Sequence, residues 1–215
     1  MKPSVSKRPL HSRPQFLAGD LALDFLNTRV RAGVDFLDLL QTDQDVLAWL
    51  EQAGLPASKT ARPPEPLSLL HDARFLRDNI RSLVEKRKAG RRGDPSALNE
   101  FLRLAKSYPQ LHWDRAHSLT IRRVGQRDGH HARLAPIAEA AAALLATADF
   151  NLVKRCEAET CVLWFLDQTK SHHRRWCSTT VCGNRHKVAA YRKRLRDHLA
   201  SSHHGMTGTN ALAVG

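Results

Sequence analysis

The sequence predicts a mainly α chain of the α+β class: a helical N-terminal domain with one short β-hairpin, then a small metal-nucleated module of hairpin plus helix. Three observations predict it. Apolar residues recur at three- and four-residue steps through much of the first 150 positions. Residues 117–134 break that rhythm, with β-branched Thr120, Ile121 and Val124 ahead of a Gln-Arg-Asp-Gly sequence. All four cysteines lie between positions 156 and 182, as two pairs that each enclose four residues, with fifteen residues between the pairs.

Composition bounds the rest. The chain has 215 residues, 42% of them hydrophobic, enough for one or two domains with a buried core. No run of eighteen apolar residues occurs, so no transmembrane helix and no membrane partner are expected. The N-terminal MKPSVSKRPLHSRPQ is basic but lacks the apolar stretch of a secretory signal. A cytoplasmic protein is the expectation. In a reducing compartment, paired cysteines are read as metal ligands before disulfides.

Taken in order, residues 1–15 read as a disordered basic arm with three prolines, and residues 16–150 as one domain. The GDLALDFLNTR stretch is read as a helix, on which Asp24, Asn27 and Thr28 form a polar cluster beside an apolar face. That cluster is the candidate ligand-binding site. Residues 43–53 make a second helix: Thr42 is the N-cap, Asp45 stands three positions on, and Val46, Leu47, Trp49 and Leu50 form the stripe. Gly54 and Pro56 end it. The strongest helical period runs over residues 67–88, through Leu69, Ala73, Leu76, Ile80 and Leu83. A further helix runs from Pro95 to Lys106. Residues 117–134 are expected to fold as the hairpin, with His130 and His131 as exposed loop residues beside its turn. After Pro136, the alanine-rich IAEAAAALLATAD is a helix of high propensity packed closely on a neighbour.

Residues 151–200 hold the most specific signal. Structural zinc takes four tetrahedral ligands in closely spaced pairs, so Cys156, Cys161, Cys177 and Cys182 are the expected ligands of one Zn2+. His172, His173 and His186 are potential substitutes, but four cysteines are the simpler set. Four thiolates leave no open position for water, which argues against hydrolytic chemistry at the metal. The fifteen-residue insert is expected to form a hairpin. Val162, Trp164 and Leu166 would lie on its first strand, with a turn over 167–171 and a return through Arg174–Trp176. A helix follows Cys182, and the whole resembles a treble-clef type of finger. Residues 201–215 are read as a disordered tail.

Charge is concentrated in the same place. The formal charge of the chain is +13, with a pI near 10.3. Residues 151–200 contribute +7, against +6 from the first 150. Such a surface suits a polyanion. The candidate nucleic-acid contacts are Arg174 and Arg175 before the third cysteine, and Arg185, Lys187, Arg192, Lys193 and Arg196 on the helix after the fourth. Val188, Tyr191 and Leu195, with Leu199 at the margin, are expected to pack on the hairpin.

The motif CGNR at Cys182–Arg185, with RRWC at Arg174–Cys177 and WFLD at Trp164–Asp167, resembles the CGNR zinc-finger family. LALDFLNT at Leu21–Thr28, followed by a helix around AWL, is similar to the ABATE domain usually joined to that finger. The resemblance covers nearly the whole chain. It implies a stress-induced or otherwise ligand-responsive transcription regulator of bacteria, with the four cysteines as zinc ligands and the basic helix as the DNA-contacting element. It leaves the effector unnamed. Residues 16–150 would then sense a small molecule or form a homodimer, and no enzymatic activity is expected. The alternatives are a protein–protein interaction module with a purely structural zinc, or RNA binding.

Overall fold

Asp20 opens the first helix by accepting from the Leu23 N–H at 3.0 Å, satisfying one of the donors that a helix start leaves over. The computed structural model describes residues 13–32, 34–55, 67–104, 107–113, 117–125 and 130–204. Helix α1, Leu21–Leu26, has six residues, and Ala22, Leu23, Phe25 and Leu26 are all fully buried. Strands β1 (Arg29–Ala32) and β2 (Asp35–Asp38) follow as an antiparallel pair with Arg29 opposite Asp38.

Helix α2, Asp43–Gln52, starts with the capping box that its sequence predicts. Asp45 N–H donates to the Thr42 hydroxyl, and Thr42 N–H donates back to the Asp45 carboxylate at 2.8 Å. Helix α3, Ser68–Lys88, has no cap of its own. The Asp43 carboxylate of α2 serves instead, accepting from Leu67 and Leu70 N–H at 2.9 and 2.7 Å. Helix α4 spans Ser96–Leu104 and α5 spans His130–Thr147. The alanines of α5 allow close approach: Ala135, Ala138 and Ala141 are buried, and α1, α3 and α4 all pack on this helix. Together α1–α5 enclose the main core, with Trp49 against Phe25 at 5.1 Å between ring centroids.

Arg77 of α3 is a charged member of that core, 2% exposed. Its guanidinium donates to the Thr28 hydroxyl at 2.9 Å and to both oxygens of Asp38. Burial alone would raise the Asp38 carboxyl. Arg77, the Leu40 N–H and Arg74 outweigh it and hold the group below the usual carboxylate range.

Strands β3 (Ser107–Trp113) and β4 (Leu119–Gly125) form a second antiparallel pair, and β5 (Val153–Arg155) with β6 (Trp164–Leu166) a third. One π-helical turn at Thr179–Gly183 leads into α6, Asn184–His204. The architecture is thus mainly α with short antiparallel pairs, as the sequence predicts. The chain divides into two compact units, Met1–Cys177 and Ser178–Gly215. No helix among the described residues is long and apolar enough to cross a membrane.

Several expectations need correction. The predicted hairpin over 117–134 is displaced: Leu119–Gly125 pairs backwards with Ser107–Trp113. His130 and His131 instead belong to α5, which starts seven residues earlier than expected and carries Pro136 inside it. The expected turn at residues 126–129 lies outside the described residues. Within the finger, Trp164–Leu166 pairs with Val153–Arg155, not with Arg174–Trp176. The hairpin therefore encloses the first cysteine pair. Of the expected arm, residues 1–12 lie outside the described residues. So do residues 205–215 of the expected tail, while 201–204 continue α6.

Candidate metal centre and nucleic-acid interface

Short hydrogen-bonded turns position the cysteines. Cys156 follows β5 and donates its N–H to Leu163 O at 2.9 Å; Cys161 N–H closes a turn on Ala158 O at 2.8 Å. Ser178 caps the π-helical turn by accepting from Val181 N–H, and its carbonyl accepts from both Cys182 and Gly183 at 3.0 Å. The four ligand sulfurs all lie within 4.8 Å of one another, with Cys156, Cys177 and Cys182 buried.

The donor set fits zinc. A tetrahedron with Zn–S bonds of about 2.3 Å has S–S edges of about 3.8 Å, and Cys161 Sγ lies 3.7 Å from Cys177 Sγ. That separation is far beyond a disulfide bond of about 2.0 Å, and all four cysteines are free of disulfides. Cys156, Cys161, Cys177 and Cys182 can therefore hold one zinc ion. His172, His173 and His186 are exposed and outside this group.

Asp167 is the hub of the segment between the cysteine pairs, and sequence reasoning passed over it. Completely buried, its carboxylate accepts from Lys154 Nζ at 2.7 Å, from Thr169 N–H and hydroxyl, and from Arg174 N–H at 2.9 Å. Burial works to raise its pKa, but the Lys154 and Thr169 bonds overcome this and hold the carboxyl well below its ordinary range. The WFLD sequence was its only signal.

Arg174 and Arg175, both predicted phosphate contacts, are engaged inside the first unit. Arg174 donates to the carbonyls of Trp176, Cys177 and Leu17 at 3.0, 2.6 and 2.8 Å. Its guanidinium also lies 4.3 Å from the centroid of the Phe165 ring. Arg175 pairs with Glu157 at 2.6 Å and covers the Trp176 ring. By contrast, Arg185, Lys187, Arg192, Lys193 and Arg196 are all exposed along α6, as is Arg194, which sequence reasoning left out.

The polar cluster of α1 faces inward. The Asp24 carboxylate accepts from Leu17 and Ala18 N–H, each at 2.9 Å. Burial pushes its pKa up to about 6 despite these two bonds. Thr28 donates to Phe25 O at 2.7 Å and accepts from Arg77. Asn27 reaches furthest: its amide donates to Trp164 O and accepts from Trp164 N–H, both at 2.8 Å. It thus extends the edge of β6 as a neighbouring strand would. Leu166 N–H donates to Ala18 O at 2.7 Å nearby, and Gly19 (φ +74°) sits where a Cβ would press on Gln168 at 3.1 Å. All three predicted ligand-site residues are buried joints between α1 and its surroundings. A surface depression on α3 is lined by Leu67, Leu70, His71, Arg74, Phe75 and Asp78, and by none of the three.

Residues 19–148 match the ABATE family, described as "Putative stress-induced transcription regulator". The chain belongs to the ABATE family. Residues 153–195 match the CGNR zinc finger, a span that contains all four cysteines. No curated protein matches the chain. In ABATE terms, the LDFLNT segment joins the family domain to the β6 strand of the finger through Asn27.

Proposed function

We propose that this protein is a zinc-dependent DNA-binding transcription regulator, cytoplasmic and without enzymatic activity. The ABATE domain would serve as its sensing or dimerising part. One observation carries the reading. Arg185, Lys187, Arg192, Lys193 and Arg196 are exposed on a helix that begins two residues after the last cysteine. From Arg185 to Arg196 the helix rises about 16 Å, the length of about five base-pair steps. Zinc fixes the start of that helix and supplies folding free energy, not reactivity, because four thiolates complete its coordination. The cations on α6 then meet phosphate and release its counterions.

The test is an anisotropy titration of the zinc-loaded full chain against duplex DNA at several salt concentrations. Affinity is expected to fall steeply with salt. Combining Arg185→Ala, Arg192→Ala and Arg196→Ala should flatten the log–log slope by about 0.9 for each phosphate that is no longer neutralised, with zinc content unchanged. Absence of binding at low salt, or a slope that the triple variant leaves intact, overturns the reading.

A further inference from the structure

The basic residues of α6 border an apolar stripe, and a partner seated on that stripe would share their cations with DNA. Val188, Tyr191, Leu195 and Leu199, expected to pack on the hairpin, are instead exposed at 48%, 62%, 48% and 55%. They stand at steps of three, four and four residues, so on a helix they share an arc of about 80°. That is the narrow seam of a two-helix contact. A helix lying on a lipid surface or covering a domain core presents an apolar face of about 100° or more. The seam is bordered by Arg185, Arg192 and Arg196 on one side and by Lys187 and Arg194 on the other.

We propose that this seam docks an acidic amphipathic helix of a partner protein. Charge decides between the occupants. In residues 184–199 six Lys and Arg face a single acidic residue, Asp197. Pairing α6 with a second copy of itself, parallel or antiparallel, would set Lys187, Arg192 and Arg194 against the same cations across the seam, and like charges at these flanking positions oppose association. A helix with leucines in the seam and glutamates at its borders reverses every one of those contacts. The four apolar side chains supply the contact area, and the flanking cations select the sign of the partner.

A labelled 28-residue peptide with leucine at the seam positions and glutamate at the flanking ones is the probe, titrated into the zinc-loaded full chain. Saturable binding is expected. A peptide with lysine in place of glutamate should not bind. Combining Tyr191→Ser and Leu195→Ser should weaken binding by about tenfold or more, since each deleted apolar side chain is worth more than the 1.4 kcal/mol that a tenfold change represents. The pair Val188→Ser and Leu199→Ser, at the two ends of the seam, gives an independent reading should the first variant lose its zinc. Three results overturn the proposal. The first is glutamate-peptide binding that both variant pairs leave intact, which reduces the contact to charge alone. The second is a dimer by sedimentation that the seam variants dissolve, which assigns the seam to a second copy. The third is seam-dependent binding to phosphatidylserine vesicles without peptide binding, which assigns it to a membrane surface.

Discussion

Two basic segments flank the third and fourth cysteines, and they use their cations in opposite ways. Between residues 153 and 177, Lys154 holds Asp167, Arg174 holds three backbone carbonyls and Arg175 holds Glu157. Along α6 the cations are exposed. Counted as charge, the two segments look like one patch. Counted as hydrogen bonds, Lys154 and Arg174 of the first are framework, Arg175 is tied up in a surface ion pair, and the second is exposed surface. Net charge therefore overstates the binding surface of this finger, and the partners of each arginine correct the count.

Removing the zinc should have the largest effect, because it tests whether the framework segment stands without metal. Apparent binding free energies at structural zinc sites are about 10–16 kcal/mol, so a strong chelator should unfold the finger, read as a loss of near-ultraviolet circular dichroism. Metal analysis should find one zinc per chain, and none after Cys177→Ala.

Next comes a paired comparison of arginines. Arg174→Ala strands three carbonyls that a guanidinium had satisfied and should cost about 3 kcal/mol in urea unfolding. Arg192→Ala, at an exposed position, should stay within about 0.5 kcal/mol while lowering the salt slope of DNA binding by about 0.9. Equal costs for the two would erase the distinction between framework and surface.

Asn27→Ala should cost about 2 kcal/mol, since it leaves the buried Trp164 N–H and C=O without their partner. Loss of effector response without loss of stability would instead restore Asn27 as a ligand contact.

A further effect concerns pH. The Asp24 carboxyl titrates near 6 in the fold, against a model-peptide value of 3.8. Between those values the folded state binds more protons than the unfolded one, so this group's contribution to stability declines as pH rises from about 4 to 6. Asp24→Asn keeps the acceptor oxygen and removes the titration. The stability difference between variant and parent should climb over that window and level off above it, as read by thermal unfolding across pH.

Local signals carried much of the fold. The Thr42–Asp45 box, the apolar period of residues 69–83 and the equal cysteine spacings each act over a few residues, and each appears as expected. Strand partners did not, because several segments lie within reach of each strand and no local residue selects among them. Nothing near Trp164 tells it to pair with Val153–Arg155 before the first cysteine. Pro109 inside β3, a residue that sheets usually confine to edges, concealed the strand that partners Leu119–Gly125. The polar trio on α1 was legible as a cluster. Its use was not, because Asn27 and Trp164 stand 137 residues apart.

That separation also sets an order of events during synthesis. A ribosome adding about 5–20 residues per second needs about 7 to 27 s to make the 137 residues between Asn27 and its partner. Through that interval the helices of the ABATE domain emerge with Asn27 lacking its native acceptor and donor, and with β6 not yet made to lie beside Ala18. The joint closes only when the segment that carries the first cysteine pair appears. Completion of the N-terminal domain therefore waits on the same stretch of nascent chain that begins to collect the metal.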